Sequence, residues 1–299
     1  MNLDQKLSYE VYDTQHAPSA VVFIVHGMQE HKERYRTFAE YLASKNYAVI
    51  TYDLPGHGMT AGSPDNMGWF GEENGWKNLV DSAVDIAAMA HQKYPDIPVI
   101  YFGHSMGTMI GRVFLQTHED LIDAMILSGA PCYNGAAGLA KVIDCAVSAF
   151  KGKRGHSAMI DNLATGSFNK GIENPRTPLD WLSYNTDNVD AYIADPGDGF
   201  PFTIRGYYDL FELMQKMHDV SAYQCHKPDM PILFFSGQDD PCRGGDKGFE
   251  DSIDVLKEAG YHSVEHRLYP HMRHETLHED DAASVMKDTA EWIAAQIKA

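Results

Sequence analysis

Positive charge is scarce in this chain. Its 299 residues include 24 lysines and arginines against 42 aspartates and glutamates, a formal charge of −18. So acidic a surface is repelled by phosphate backbones and anionic headgroups, which argues against nucleic acid and anionic membrane surfaces as primary partners. Cysteine is scarce too. Cys132, Cys145, Cys225 and Cys242 are scattered without C-x-x-C spacing, and reduced thiols are expected. No apolar run approaches the length needed to span a bilayer. Met1 to Lys6 lacks the basic-then-apolar order of a secretion signal. A cytoplasmic protein is therefore expected. There is no internal repeat and no low-complexity tract.

What is present is a 44% hydrophobic chain, long enough to bury one large core. Its first half alternates strand and helix signals, which predicts a mostly parallel sheet covered on both faces. Leu7 to Tyr12 alternates like an edge strand, whereas Ala20 to Val25 is continuously apolar like a buried central one. A helix over Arg34 to Ser44, a strand over Tyr47 to Tyr52 and an amphipathic helix through Leu79, Ala83, Ile86, Ala87 and Ala90 follow. Strands then end at Phe102 and Ser128. After Pro131 the rhythm breaks and resumes only with strands over Pro231 to Ser236 and Val264 to Tyr269 and a last helix near Ala282 to Ile297. The intervening stretch holds Trp181, Tyr184, Tyr192, Phe200, Phe202, Tyr207, Tyr208 and Phe211, too many aromatics for a linker. The expected organisation is a core of residues 1–131 and 227–299 with an insertion over 132–226.

Gly103-His104-Ser105-Met106-Gly107 lies between the apolar run Ile97 to Phe102 and the helix-compatible Thr108 to His118. Small residues two before and two after a serine suit a sharp strand-to-helix turn, which exposes the hydroxyl beside the positive end of a helix. Serine is a poor nucleophile unless a base takes its proton, and the base needs an acid to orient it. In open α/β sheets such groups gather beyond the carboxyl ends of strands. Those ends carry His26-Gly27-Met28-Gln29-Glu30-His31, Asp53-Leu54-Pro55-Gly56-His57-Gly58, Gly237-Gln238-Asp239-Asp240-Pro241 and Pro270-His271-Met272-Arg273-His274-Glu275. Spacing alone leaves Asp239 and Asp240 open as the acid, and His271 and His274 open as the base.

In this order the motifs resemble α/β-hydrolases of the monoacylglycerol lipase and lysophospholipase group, related to the serine aminopeptidases. The resemblance covers nearly the whole chain, and Asp180-Trp181-Leu182-Ser183 resembles bacterial lysophospholipase-type members. It implies an α/β-hydrolase fold, a mostly parallel sheet with helices on both faces and a helical cap over 132–226. It also implies a triad of Ser105, Asp240 (in a G-x-x-D pattern) and His274, with backbone N–H groups of Met28 and Met106 as the oxyanion site. Gln29 stands where the related loop often has glycine. The implied activity is hydrolysis of single-acyl lipid esters, without a cofactor. A peptidase of the proline iminopeptidase type shares fold and triad but needs a cap acid to hold an amine, for which Glu173, Asp180 and Asp187 are available. A non-catalytic binding protein is disfavoured because every triad position is filled. No metal is expected: His26 and His31 are read as shaping the loop, and His271, His274 and His278 lack further partners at matching distance. His57 is read as a tight-turn residue.

Overall fold

In the computed structural model, which describes residues 7–297, the continuously apolar segments become the buried strands of one seven-stranded sheet. The Met1–Lys6 segment lies outside the described residues. In chain order the strands are β1 (Tyr9–Tyr12), β2 (Ala20–Val25), β3 (Tyr47–Tyr52), β4 (Val99–His104), β5 (Ala124–Ser128), β6 (Ile232–Gly237) and β7 (Val264–Tyr269). Their spatial order is β1-β3-β2-β4-β5-β6-β7. All neighbours pair in parallel except β1, which runs antiparallel to β3 at one edge. The helices are α1 (Arg36–Ser44), α2 (Gly75–Lys93), α3 (Met106–His118), α4 (Ala137–Lys151), α5 (Ala158–Ala164), α6 (Thr186–Ala194), α7 (Ile204–Lys216), α8 (Gly245–Glu258) and α9 (Ala282–Gln296). This is the α/β-hydrolase architecture.

Strand alternation divides the core into two layers. Val21, Phe23 and Val25 of β2 face α2, α3 and α8, while Ala20, Val22 and Ile24 face α1 and α9. Every residue of β2, β3, β4, β5 and β6 is buried, as expected for parallel strands covered on both sides. Boundaries differ from the sequence reading by a few residues. The strand that ends at Ser128 starts only at Ala124, because Ile122 N–H bonds back to Glu119 O in a 3₁₀ turn. The strand read from Pro231 starts one residue later, since proline has no N–H to give a ladder. No helix among the described residues is long and apolar enough to cross a membrane.

Between β5 and β6 the described chain is all helix and loop, α4 to α7. Its aromatics do not form one small core of their own. Phe202, Ile204, Tyr207, Leu210 and Leu213, in and just before α7, join the main core on the α2/α3 side. A small separate cluster holds Trp181, Leu182, Tyr192 and Cys242. The strong amphipathicity of α7 explains the difference: one side of it is apolar enough to seal the core rather than float above it.

The close approach of α3 to β2 sets where the serine stands. A Cβ on Gly107 would lie 2.1 Å from Val25 O and 3.0 Å from His26 O, and one on Gly103 would lie 2.7 Å from Gly107 O. Both obstructions are backbone and cannot rotate away. Gly107→Ala should therefore destabilise the protein by about 3 kcal/mol, at the upper end of overpacking costs. Urea unfolding measures this; a change under about 0.5 kcal/mol would contradict it.

Candidate active site

Ser105 joins β4 to α3 in a backbone conformation of φ 49 and ψ −115, unusual for a residue with a side chain. Its N–H donates to Ser128 O at 3.0 Å, and its carbonyl accepts from Thr108 N at 2.9 Å and Thr108 Oγ1 at 2.7 Å. The turn is thus pinned at both peptide groups. Among the described residues, neither Met106 N–H nor Met28 N–H has a hydrogen-bond partner. Met106 opens α3, so its N–H belongs to the positive end of that helix.

The loop after β2 is held from several directions. Gly27 N–H donates to Glu30 Oε1, which also accepts from Tyr35 Oη at 2.9 Å. His26 sits beneath it, with Nδ1 donating to Gly27 O at 2.8 Å and Nε2 accepting from Leu54 N at 3.0 Å. Complete burial lowers the His26 pKa to about 3, so it is a neutral structural ring. His57 is likewise buried and stacks on Phe70 with centroids 5.5 Å apart; it packs aromatics as well as shaping its turn. Gln29 takes φ 58, the left-handed region that makes glycine common at this position. Its carbonyl accepts from Gly199 N and Tyr192 Oη, both at 2.8 Å, and Nε2 donates to Tyr207 Oη at 3.3 Å. These bonds tie the loop to the α6–α7 region and support the strained residue.

On the far side of Ser105, Asp240 and His274 meet. His274 Nδ1 donates to Asp240 Oδ2 at 2.9 Å; Ser236 Oγ donates to the same oxygen at 2.7 Å and Cys242 N to Oδ1 at 2.8 Å. Burial pushes the Asp240 pKa up, but the His274 charge and these donors outweigh it and hold it below the usual carboxylate value. Burial disfavours the His274 cation, yet Asp240 wins and lifts it above the ordinary imidazole value. With Nδ1 committed as a donor, Nε2 is left as the basic atom. The open alternatives separate cleanly in space. Asp239 is exposed and accepts from Tyr184 Oη at 3.0 Å; His271 is exposed and stacks on Tyr184 at 4.2 Å.

Ser105 and His274 line one cleft of about 430 Å³ with Gly27, Met28 and Trp181. No hydrogen bond joins Ser105 Oγ to His274 among the described residues; such contacts are often long until substrate binds. Trp181 covers the His274 ring at 5.1 Å. Its placement follows from the 180–183 motif: Arg273 Nη1 donates to Asp180 O at 2.7 Å, and Glu275 N to Leu182 O at 2.8 Å. The Asp180-Trp181-Leu182-Ser183 motif marks this segment in the sequence, but its packing against His274 leaves no local pattern. On its other side Ser105 faces a larger cavity of about 840 Å³, including its open mouth. That cavity is apolar, lined by Met28, Met106, Met109, Ile143, Leu210 and Met214 among others. Glu173, Asp180 and Asp187 line neither space.

Beneath the cleft lies a buried ion cluster unforeseen from sequence. Arg34 contacts Glu30 at 3.1 Å, Asp198 at 3.1 Å and Glu275 at 2.7 Å, and donates to Asn188 Oδ1 at 3.2 Å. Burial raises the Glu275 pKa, but Arg34 overcomes that and holds it down at about 2. Asp198 goes the other way. Its burial outweighs Arg34 and, with nearby carboxylates, lifts it to about 8. Arg34 thus fastens the loop after β2 to the His274 loop and to the α6–α7 connection.

The family described as serine aminopeptidase, S33, matches residues 16–281. A monoacylglycerol lipase of Mycolicibacterium smegmatis is 26% identical over 298 residues, covering 98% of this chain and 94% of its own. The phospholipase YtpA of Bacillus subtilis is 26% identical over 278 residues, covering 90% of this chain and 93% of its own. A thermostable carboxyl esterase from Bacillus coagulans, solved with glycerol, superposes with a TM-score of 0.91 at 26% identity, covering 99% of this chain and 96% of its own.

Among the groups around the cleft, Arg34 is the one whose removal strands most charge. Arg34→Met should cost about 3–5 kcal/mol, because Glu30, Asp198 and Glu275 lose their buried partner. Equilibrium urea unfolding checks this; a variant as stable as the parent would show the cluster to be energetically idle.

Proposed function

Because the chain belongs to the serine aminopeptidase S33 family of α/β-hydrolases, we propose that it is a serine carboxylic-ester hydrolase. Its substrates are single-acyl lipid esters of the monoacylglycerol or lysophospholipid type. One observation carries the reading. Ser105, on its strained turn, faces an apolar cavity on one side and the hydrogen-bonded Asp240–His274 pair on the other. The names of the lipase and esterase relatives support the same substrate class.

The chemistry follows from the groups. Ser105 Oγ attacks the ester carbonyl carbon as His274 Nε2 takes its proton. Asp240 holds the imidazole in the required tautomer and offsets the positive charge that forms. The carbonyl electron pair moves onto oxygen, and Met28 N–H and Met106 N–H donate to that oxyanion. Collapse breaks the bond to the alcohol, which leaves with the His274 proton. Water, deprotonated by the same histidine, then releases the acid and restores Ser105. The segment 132–226 acts as a cap whose inner side, with Ile143 and Met214, receives the acyl chain. Leu139, Val142 and Phe150 of α4 and Met159 and Leu163 of α5 are exposed apolar groups, suited to a lipid substrate's approach. The ester reading is favoured over the peptidase one because Glu173, Asp180 and Asp187, the cap acids available to hold an amine, line neither the cleft nor the cavity.

A fluorophosphonate probe should label the protein at Ser105 and fail on Ser105→Ala; unlabelled parent protein would end the serine-hydrolase reading. Across a series of monoacyl esters, kcat/KM should climb by up to about fourfold per added methylene until the cavity is filled, as about 0.8 kcal/mol per buried methylene implies. Efficient cleavage of proline arylamides with no gain from longer acyl chains would overturn the substrate class. The acidic limb of kcat/KM should reflect His274. Since its pKa is raised, activity falls as pH drops through a value above about 6.5, the ordinary imidazole pKa. A profile flat down to pH about 5 would contradict the assignment. Asp240→Asn should cut kcat about 10⁴-fold while leaving the fold intact.

A further inference from the structure

His31 closes the loop that carries Met28, and its ring meets the connection between α6 and α7. There Nε2 lies 3.2 Å from Asp195 Oδ2 and 3.6 Å from Asp198 Oδ1. One ligand atom from each of these three residues lies within 4.8 Å of the other two. A single N–H cannot serve two carboxylates well, and Asp198 shows the shortfall. Asp198 is 7% exposed, and its Oδ1, fully shielded from solvent, has no hydrogen-bond partner. Its Oδ2 is taken by Arg34 Nη1 at 3.1 Å, so Oδ1 is turned toward His31. Asp195 is arranged in the same way. Its Oδ1 accepts from Gly197 N at 2.8 Å, which leaves Oδ2 facing the imidazole.

We propose that His31, Asp195 and Asp198 form a structural site for a divalent transition cation of the Zn²⁺ type. Three observations of geometry and charge carry it. A tetrahedral ion with bonds of about 2.0–2.2 Å sets its ligand atoms about 3.3–3.6 Å apart, close to the separations from His31 to the two carboxylates. An unpartnered buried carboxylate oxygen is costly in a protein interior and is a ready ligand. The surroundings are rich in carboxylates: Glu30, Asp198 and Glu275 share one guanidinium, that of Arg34, and Asp195 lies against His31. The mixed nitrogen and oxygen set favours Zn²⁺ and its neighbours over Ca²⁺ or Mg²⁺, which prefer oxygen alone. Three protein ligands leave the fourth position to water.

The site would staple the loop after β2 to the inserted segment. The same two stretches already meet through Gly199 N–H and Tyr192 Oη on the Gln29 carbonyl. An ion there steadies the Met28 loop from outside the catalytic cleft and takes no part in the chemistry. It goes beyond the ester-hydrolase reading and does not depend on it.

The test uses the full chain, freed of metal with a chelator and titrated with ZnCl₂ by calorimetry, with parallel thermal melts. One ion per chain should bind, and the melting temperature should rise by about 5 °C when free zinc is about a hundredfold above the dissociation constant. Asp195→Asn and His31→Gln should each weaken binding by about tenfold or more. The Asp195 side chain is 42% exposed, so its variant keeps the fold, which the zinc-free melt verifies. Absence of saturable zinc binding by the parent would overturn the proposal. So would Asp195→Asn and His31→Gln variants that bind as tightly as the parent, since the ion would then sit elsewhere among the 15 histidines.

Discussion

A residue with a side chain held at φ 49 between a strand and a helix stores roughly 1–3 kcal/mol of backbone strain, and much of this molecule is arranged around sustaining it at Ser105. Gly103 and Gly107 let α3 press against β2 and β4 with no Cβ in the way. Ser128 and Thr108 fix the two peptide groups of the turn. The reward for that crowding is positional. Ser105, Met28 and Met106 line one cavity, and Ser105 also borders the cleft that His274 lines.

The second constraint is electrostatic. The cleft buries Asp240, His274, Glu30, Glu275 and Arg34, groups that are costly to remove from water unless each meets a partner. Asp240 resolves this through His274, Ser236 and the Cys242 N–H. Arg34 resolves it for three carboxylates from three separate chain segments. Fixed charges in a buried setting hold the Asp240–His274 pair in place. They also join the loop after β2, the His274 loop and the inserted segment into one frame.

Much of the fold was legible in the sequence because parallel strands buried on both faces must be continuously apolar. Ala20 to Val25 and Tyr47 to Tyr52 are written that way. The elbow was legible for a similar reason: close backbone approach demands glycine at 103 and 107. Asp239 against Asp240, and His271 against His274, could not be separated by spacing. The choice depends on which side chain turns inward at a strand end, and resemblance to known hydrolases, not periodicity, pointed to the inward pair. Arg34, Glu30 and Glu275 were invisible as a set, since ion pairs between distant segments leave no local pattern. The destination of the inserted aromatics was equally hidden, because amphipathicity shows that α7 has an apolar side but not which surface it covers.

The central claim is that Ser105 and the N–H groups of Met28 and Met106 act on one carbonyl. A crystal structure of the protein inactivated with a long-chain alkyl phosphonate tests it most directly. The account predicts phosphorus bonded to Ser105 Oγ and its oxygen about 2.7–3.1 Å from both N–H groups. It also predicts that the alkyl chain lies along Met109, Leu210 and Met214. Phosphorus on any other residue, or an oxygen turned away from Met28 and Met106, would contradict it.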